Sequence, residues 1–141
     1  PSAVLLIAGE GPERRRLHGL AKGLGVWNRV RFLGRVPEAD KPRLYALADV
    51  FLFPSLLEGF GMPVLDAMAS GVPALVSDRG ALPELAAIGG AGVIPLERPE
   101  EWVEETVELL KNPGGYQGAQ GLTWDAAAAQ MAMALKRIAT L

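Results

Sequence analysis

Apolar and polar residues in this chain fall in blocks of strand and helix length. Residues 3–8 (AVLLIA) form an unbroken apolar run, the pattern of a short strand buried on both faces of a parallel sheet. Gly9-Glu10-Gly11-Pro12 interrupts it. Leu17, Leu20, Ala21 and Leu24 then recur at helical spacing behind Arg14, Arg15 and Arg16, with Gly25 as the stop. Residues 30–33 predict a second strand, followed by Gly34 and a Val36-Pro37 turn. Asp40 is placed to cap a helix carrying Pro42, Leu44, Tyr45 and Leu47. Residues 50–53 predict the next strand and residues 54–62 a glycine-rich loop, and Pro63 opens a helix that ends near Gly71. Residues 74–76 and 93–94 read as strands on either side of a short helix at residues 82–87. Trp102, Val103, Thr106, Val107 and Leu110 share one face of an acidic helix ending at Asn112-Pro113. A loop over residues 114–121 precedes a terminal helix, capped by Thr123 and striped by Ala127, Ala128, Met131, Leu135 and Ile138.

Strands separated by helices of this length imply right-handed βαβ units. The fold class is therefore α/β, Rossmann-like, with a mainly parallel sheet flanked by helices. Ligands of such sheets sit beyond the carboxyl ends of the strands.

Composition narrows the function. A chain of 141 residues, 50% hydrophobic and 21% charged, is one domain with a real core and not a disordered segment. A net charge of −2 argues against a nucleic-acid partner. No apolar run is long enough to span a bilayer, so a cytoplasmic protein that is not transmembrane is expected. With no cysteine and a single histidine, a disulfide framework, a cysteine nucleophile and a His-rich zinc site are excluded. His18 reads as a surface residue of the first helix, and the four methionines with Trp102 and Trp124 read as core. Residues 1–50 carry 9 basic against 5 acidic residues, and residues 51–141 carry 5 against 11, so a basic first half would favour an anionic ligand.

Two loops at strand carboxyl ends carry the candidate chemistry. In the first, Gly9 and Gly11 allow close backbone approach to a ligand, and a helix start follows. On the residues alone, a tight strand-to-helix turn accounts for it, because a lone G-x-G is a weak signal. The second runs Pro54-Ser55-Leu56-Leu57-Glu58-Gly59-Phe60-Gly61-Met62-Pro63 into a helix carrying Asp66. Its consecutive amides can face a diphosphate. Carboxylates repel phosphate, so Glu58 and Asp66 make sense as acceptors of sugar hydroxyls. Asp66 reads equally as a residue that complements the helix dipole, and Asp78 reads as a turn cap.

The segments LLIAGEGPERRRL, VRFLGRVP, ADVFLFPSLLEGFGMPVLDAMASGVPALVSDRGALPEL and LTWDAAAAQ closely resemble the donor-binding half of retaining GT-B glycosyltransferases, the glycosyl transferases of group one or family four. The most specific part is E-G-F-G-x-P with a carboxylate eight positions after the glutamate. The resemblance implies that residues 1–141 are a nucleotide-sugar (donor) binding domain, the C-terminal half of a GT-B fold. In this reading Glu58 contacts the transferred sugar as the catalytic residue. Gly59, Phe60 and Gly61 meet sugar and diphosphate, and Met62 and Pro63 open the phosphate-facing helix. Asp66, one methylene shorter than the usual glutamate, holds the ribose. Gly9, Gly11 and Pro12 lie near the nucleotide, and Arg35 with Val36 near the base.

The implied reaction moves a sugar from a UDP-, GDP- or ADP-sugar to the hydroxyl of an acceptor glycan, lipid or small molecule, with retention and without metal or cofactor. The family's acceptor-binding N-terminal domain, and the G-R-x-x-x-x-K-G-like stretch whose basic pair neutralises the leaving diphosphate, lie outside this sequence. Arg14, Arg15 and Arg16 do not replace that pair. The chain alone is therefore expected to be inactive, and the full-length enzyme to sit in the cytoplasm, peripheral to the inner membrane face. Two alternatives remain. One is a catalytically incompetent nucleotide-binding module or fragment, and the other a nucleotide-sugar epimerase, against which the E-G-F-G-x-P loop speaks. The family's first strand would precede Pro1, and residues 3–8 are then expected to pair directly with residues 50–53.

Overall fold

The computed structural model describes residues 3–88 and 90–112. In it the chain forms two units, Pro1–Lys41 and Pro42–Leu141. The expected terminal helix, the loop before it and Trp124 lie outside the described residues.

In the first unit, β1 (Leu5–Ala8) is followed by α1 (Arg14–Gly23), a 3-10 turn at Trp27–Arg29 and β2 (Val30–Gly34). The strands are parallel, with Leu5 opposite Val30 and Ile7 opposite Phe32, and a slip then sets Ala8 opposite Gly34. Leu5 and Leu6 point to opposite faces of the sheet yet are both exposed, despite the apolar run that predicts burial on both faces, so the first unit covers neither face of β1 fully. His18 also departs from its expected surface role. Its half-buried ring lies 4.1 Å from the Phe32 ring and 4.8 Å from that of Trp27, and its buried Nε2 has no hydrogen-bond partner among the described residues. Helical spacing cannot reveal ring partners supplied by a later turn and strand. Asp40 closes a 3-10 turn at Glu38–Asp40 rather than capping a longer helix, and α2 is short (Lys41–Ala46), leaving Leu47 exposed.

The second unit repeats strand and helix: β3 (Phe51–Phe53), α3 (Met62–Ala69), β4 (Ala74–Ser77), α4 (Leu82–Ala86), β5 (Ala91–Ile94) and α5 (Pro99–Lys111). Its sheet is parallel throughout in the order β3-β4-β5. Every residue of β4, the central strand, is buried. Its side chains alternate between faces, so Ala74 and Val76 join Val64, Met68, Leu82, Leu85 and Ala86 in one cluster. Leu75 packs with Ile94 and Leu109 in another. The two faces bury apolar surface at roughly 25 cal/mol per Å² each, and this two-sided burial holds the carboxyl ends of β3 and β4 in place.

Two further expectations are corrected. On α5 the inward residues are Trp102, Thr106 and Leu109, while Val103, Val107 and Leu110 face outward. The helix is rotated from the sequence-predicted face because Leu109 fills the space beside Leu75. Among the described residues no ladder joins β1 to β3. β1 pairs with β2, and β3 with β4. Strands of four and three residues offer few further ladder bonds, and nothing local in the sequence specifies a register between them.

Candidate functional site

The E-G-F-G loop starts where β3 ends. Pro54 has no N–H to extend the ladder, and Ser55 folds the chain back by bonding its N–H to the Phe53 carbonyl at 2.9 Å. The Ser55 hydroxyl donates to the Leu57 carbonyl at 3.1 Å. Leu56, Leu57, Phe60 and Met62 all point outward, with Phe60 58% and Met62 57% exposed. Met62, expected in the core, therefore lies at the lip of the loop. It is the first residue of α3, and the inward positions of that helix are taken by Val64, Ala67 and Met68.

Glu58 is half-buried, and its Oε1 accepts from the amide of Gly59 at 3.2 Å and faces that of Phe60 at 3.5 Å. Successive amides thus converge on one anionic oxygen, the arrangement of a backbone anion nest. Gly61 stands at φ 90°, the left-handed region that turns the loop into α3. A Cβ there would come within 2.9 Å of Leu82 Cδ2 and 3.0 Å of Leu85 Cδ2, so the position has neither the conformation nor the room for a side chain. The Gly61 carbonyl takes the amides of Val64 and Leu65 at 2.9 and 3.2 Å. Pro63 adds no donor, and the Gly61 and Met62 amides donate to none of the described acceptors. Half-buried Asp66 lies one turn further along α3, and among the described residues its carboxylate takes no hydrogen bond. The second unit therefore brings Glu58, Gly59, Phe60, Gly61, Met62, Pro63 and Asp66 together at the carboxyl end of its sheet.

The first unit gathers the other set. The Gly9 amide donates to the Gly34 carbonyl at 2.7 Å, which ties the loop after β1 to the chain entering Arg35 and Val36. Arg35 is exposed and Val36 half-buried. The helix start behind Gly11 and Pro12 is less open than its sequence implies, because the Arg14 amide already bonds the Gly11 carbonyl at 3.2 Å.

Two contributors escaped the sequence reading. Ser77, fully buried, donates its hydroxyl to the Ser55 carbonyl at 2.6 Å. Gly80, at φ 57°, lies against the Glu58 backbone, and the Ala81 amide donates to the Glu58 carbonyl at 3.3 Å. The signal available was a glycine three residues past a strand end, which reads only as a turn. Asp78 lies in that turn, 3.4 Å from Arg79 Nε, and Arg79 also pairs with Glu97.

The glycine-rich loop thus lies at the carboxyl end of a parallel α/β sheet, the place where ligands of such sheets bind. The chain belongs to the glycosyl transferases group 1 family, whose model matches residues 1–122. It is 49% identical over 65 residues to the O-antigen chain mannosyltransferase B of Escherichia coli, covering 46% of this chain and 16% of that protein. It is 36% identical over 132 residues to a GDP-mannose-dependent alpha-(1-6)-phosphatidylinositol monomannoside mannosyltransferase of Mycobacterium tuberculosis, covering 86% of this chain and 34% of that one. Among solved structures it superposes on the HepE protein of Anabaena in complex with UDP with a TM-score of 0.78, at 23% identity, covering all of this chain and 42% of that one. The chain thus spans about a third or less of the length of the curated relatives it matches. No described helix is long and apolar enough to cross a membrane.

Proposed function

We propose that this chain is the donor-binding part of a retaining, family-four-type glycosyltransferase, and that it holds a nucleotide diphosphate sugar. The supporting observation is the E-G-F-G loop, in which the Gly59 and Phe60 amides orient the Glu58 carboxylate, while among the described residues the Asp66 carboxylate one turn along α3 takes no hydrogen bond. In this reading the diphosphate meets the Gly61 and Met62 amides and the positive end of α3, which supply the charge stabilisation of the leaving group without a metal. Glu58 accepts from hydroxyls of the transferred sugar, and Asp66 accepts from the ribose. By the family resemblance, Gly9, Gly11, Pro12, Arg35 and Val36 of the first unit are assigned to the nucleotide and its base. The reaction is transfer of the sugar to an acceptor hydroxyl in the cytoplasm. The UDP-bound neighbour and the GDP-mannose-dependent relative support a nucleotide-sugar donor. The epimerase reading has no observation in its favour.

A titration of the chain with UDP, GDP, ADP and their sugar conjugates tests this. One of them should raise the melting temperature in a concentration-dependent way, since a ligand that binds only the folded state stabilises it by RT ln(1 + [L]/Kd). No stabilisation by any of the six at millimolar concentration would sink the proposal.

A further inference from the structure

From the last residue of β4 to Leu85, the chain touches the Glu58 loop at four places. Buried Ser77 holds the Ser55 carbonyl. The Ala81 amide holds the Glu58 carbonyl. Leu82 and Leu85 close off the space at Gly61. Gly80 is the tightest point. A Cβ built there would run into the Glu58 carbonyl oxygen and stand 3.1 Å from its carbon and 3.3 Å from its nitrogen. Real Cβ atoms do not approach backbone so closely, and backbone cannot swing aside as a long side chain does. Any residue but glycine at position 80 must therefore shift the peptide that carries Glu58, or the turn that presses against it, and either way change how the two meet.

We infer that Gly80 is a positioning residue for Glu58. By allowing the turn after β4 to press against the Glu58 peptide, it sets the direction in which that carboxylate leaves the backbone. Ser77 and Ala81 fix the same loop by hydrogen bonds. This rests on the proposed function, in which Glu58 reads the sugar and not the nucleotide. Displacing Glu58 then harms recognition of the sugar while the amides of α3 and Asp66 continue to hold the nucleoside diphosphate.

The measured quantity is the ratio of the Kd for a nucleotide sugar to the Kd for its nucleoside diphosphate, by calorimetry. The pair is whichever of UDP-glucose/UDP, GDP-mannose/GDP and ADP-glucose/ADP binds. Gly80→Ala should raise the ratio roughly tenfold, the scale of one lost charge-assisted hydrogen bond. Gly71→Ala is the control. Gly71 has a similar φ of 77° but nothing within 4 Å of its would-be Cβ, so it suffers the same backbone strain without the collision, and the ratio should not move. Added to Glu58→Gln, Gly80→Ala should change the ratio little further, because both act through one carboxylate. Should Gly80→Ala fail to fold, Ser77→Ala removes one tie without adding volume and should shift the ratio roughly threefold in the same direction. A flat ratio in the foldable variants, or full additivity with Glu58→Gln, overturns the positioning role. A flat ratio in Glu58→Gln itself overturns the functional reading, and the positioning role with it.

Discussion

In the proposed function, Asp66 is the residue on which nucleotide binding depends most. Its carboxylate is half-buried, one turn into α3, and takes no hydrogen bond among the described residues. A carboxylate so placed gains by accepting from ligand hydroxyls, and removing it leaves them without a charged partner. Asp66→Ala should weaken nucleoside diphosphate binding by about 1–2 kcal/mol, or roughly a decade in Kd by calorimetry. Asp66→Glu should bind like the parent, because the added methylene extends the reach of the same acceptor. Unchanged affinity in the alanine variant would reduce Asp66 to a residue that balances its helix. Glu58 is expected to behave differently, since its Oε1 faces the Gly59 and Phe60 amides and its proposed partner is the sugar. Glu58→Gln should cost roughly 1.5–3 kcal/mol in nucleotide-sugar binding and leave the free diphosphate unaffected.

Among the elements, β4 supports the candidate site. It lies between β3 and β5, is buried along its length, and delivers Ser77 and the Gly80 turn to the Glu58 loop. Leu75 at its centre is 0% exposed and packs against Ile94 and Leu109. Leu75→Ala should destabilise the chain by about 2–5 kcal/mol in urea denaturation, the usual range for a cavity of that size. Val103 on α5 is 64% exposed, so Val103→Ala should fall within about 0.5 kcal/mol of the parent. Equal costs for the two would place α5 in the orientation that its apolar spacing predicts instead of the one described.

The molecule as a whole has an uneven distribution of burial. The second unit holds the three clusters of buried residues, whereas in the first only Ala21 and Val30 are buried hydrophobics among the described residues. Local opening is easiest where little apolar surface is covered. Amides of β1 and β2 should therefore exchange with deuterium at least roughly tenfold faster than those of β4. Equal protection in the two sheets would show that the first unit is stabilised by something other than its own core.

Much of this was legible along the chain because it is local. Apolar runs of strand length, glycines at strand ends and Pro63 at a helix start act over a few residues. The parallel strands, the helices between them and the E-G-F-G loop with Glu58 and Asp66 could accordingly be read in order. Tertiary structure decided what depends on residues distant in sequence. The facing of α5 was set by the space beside Leu75. The environment of His18 was set by rings from Trp27 and Phe32. The sheet pairings left β1 and β3 in separate ladders. The support beneath Glu58 was decided in the same way, because a glycine 22 positions later becomes its neighbour only once β3 and β4 lie side by side.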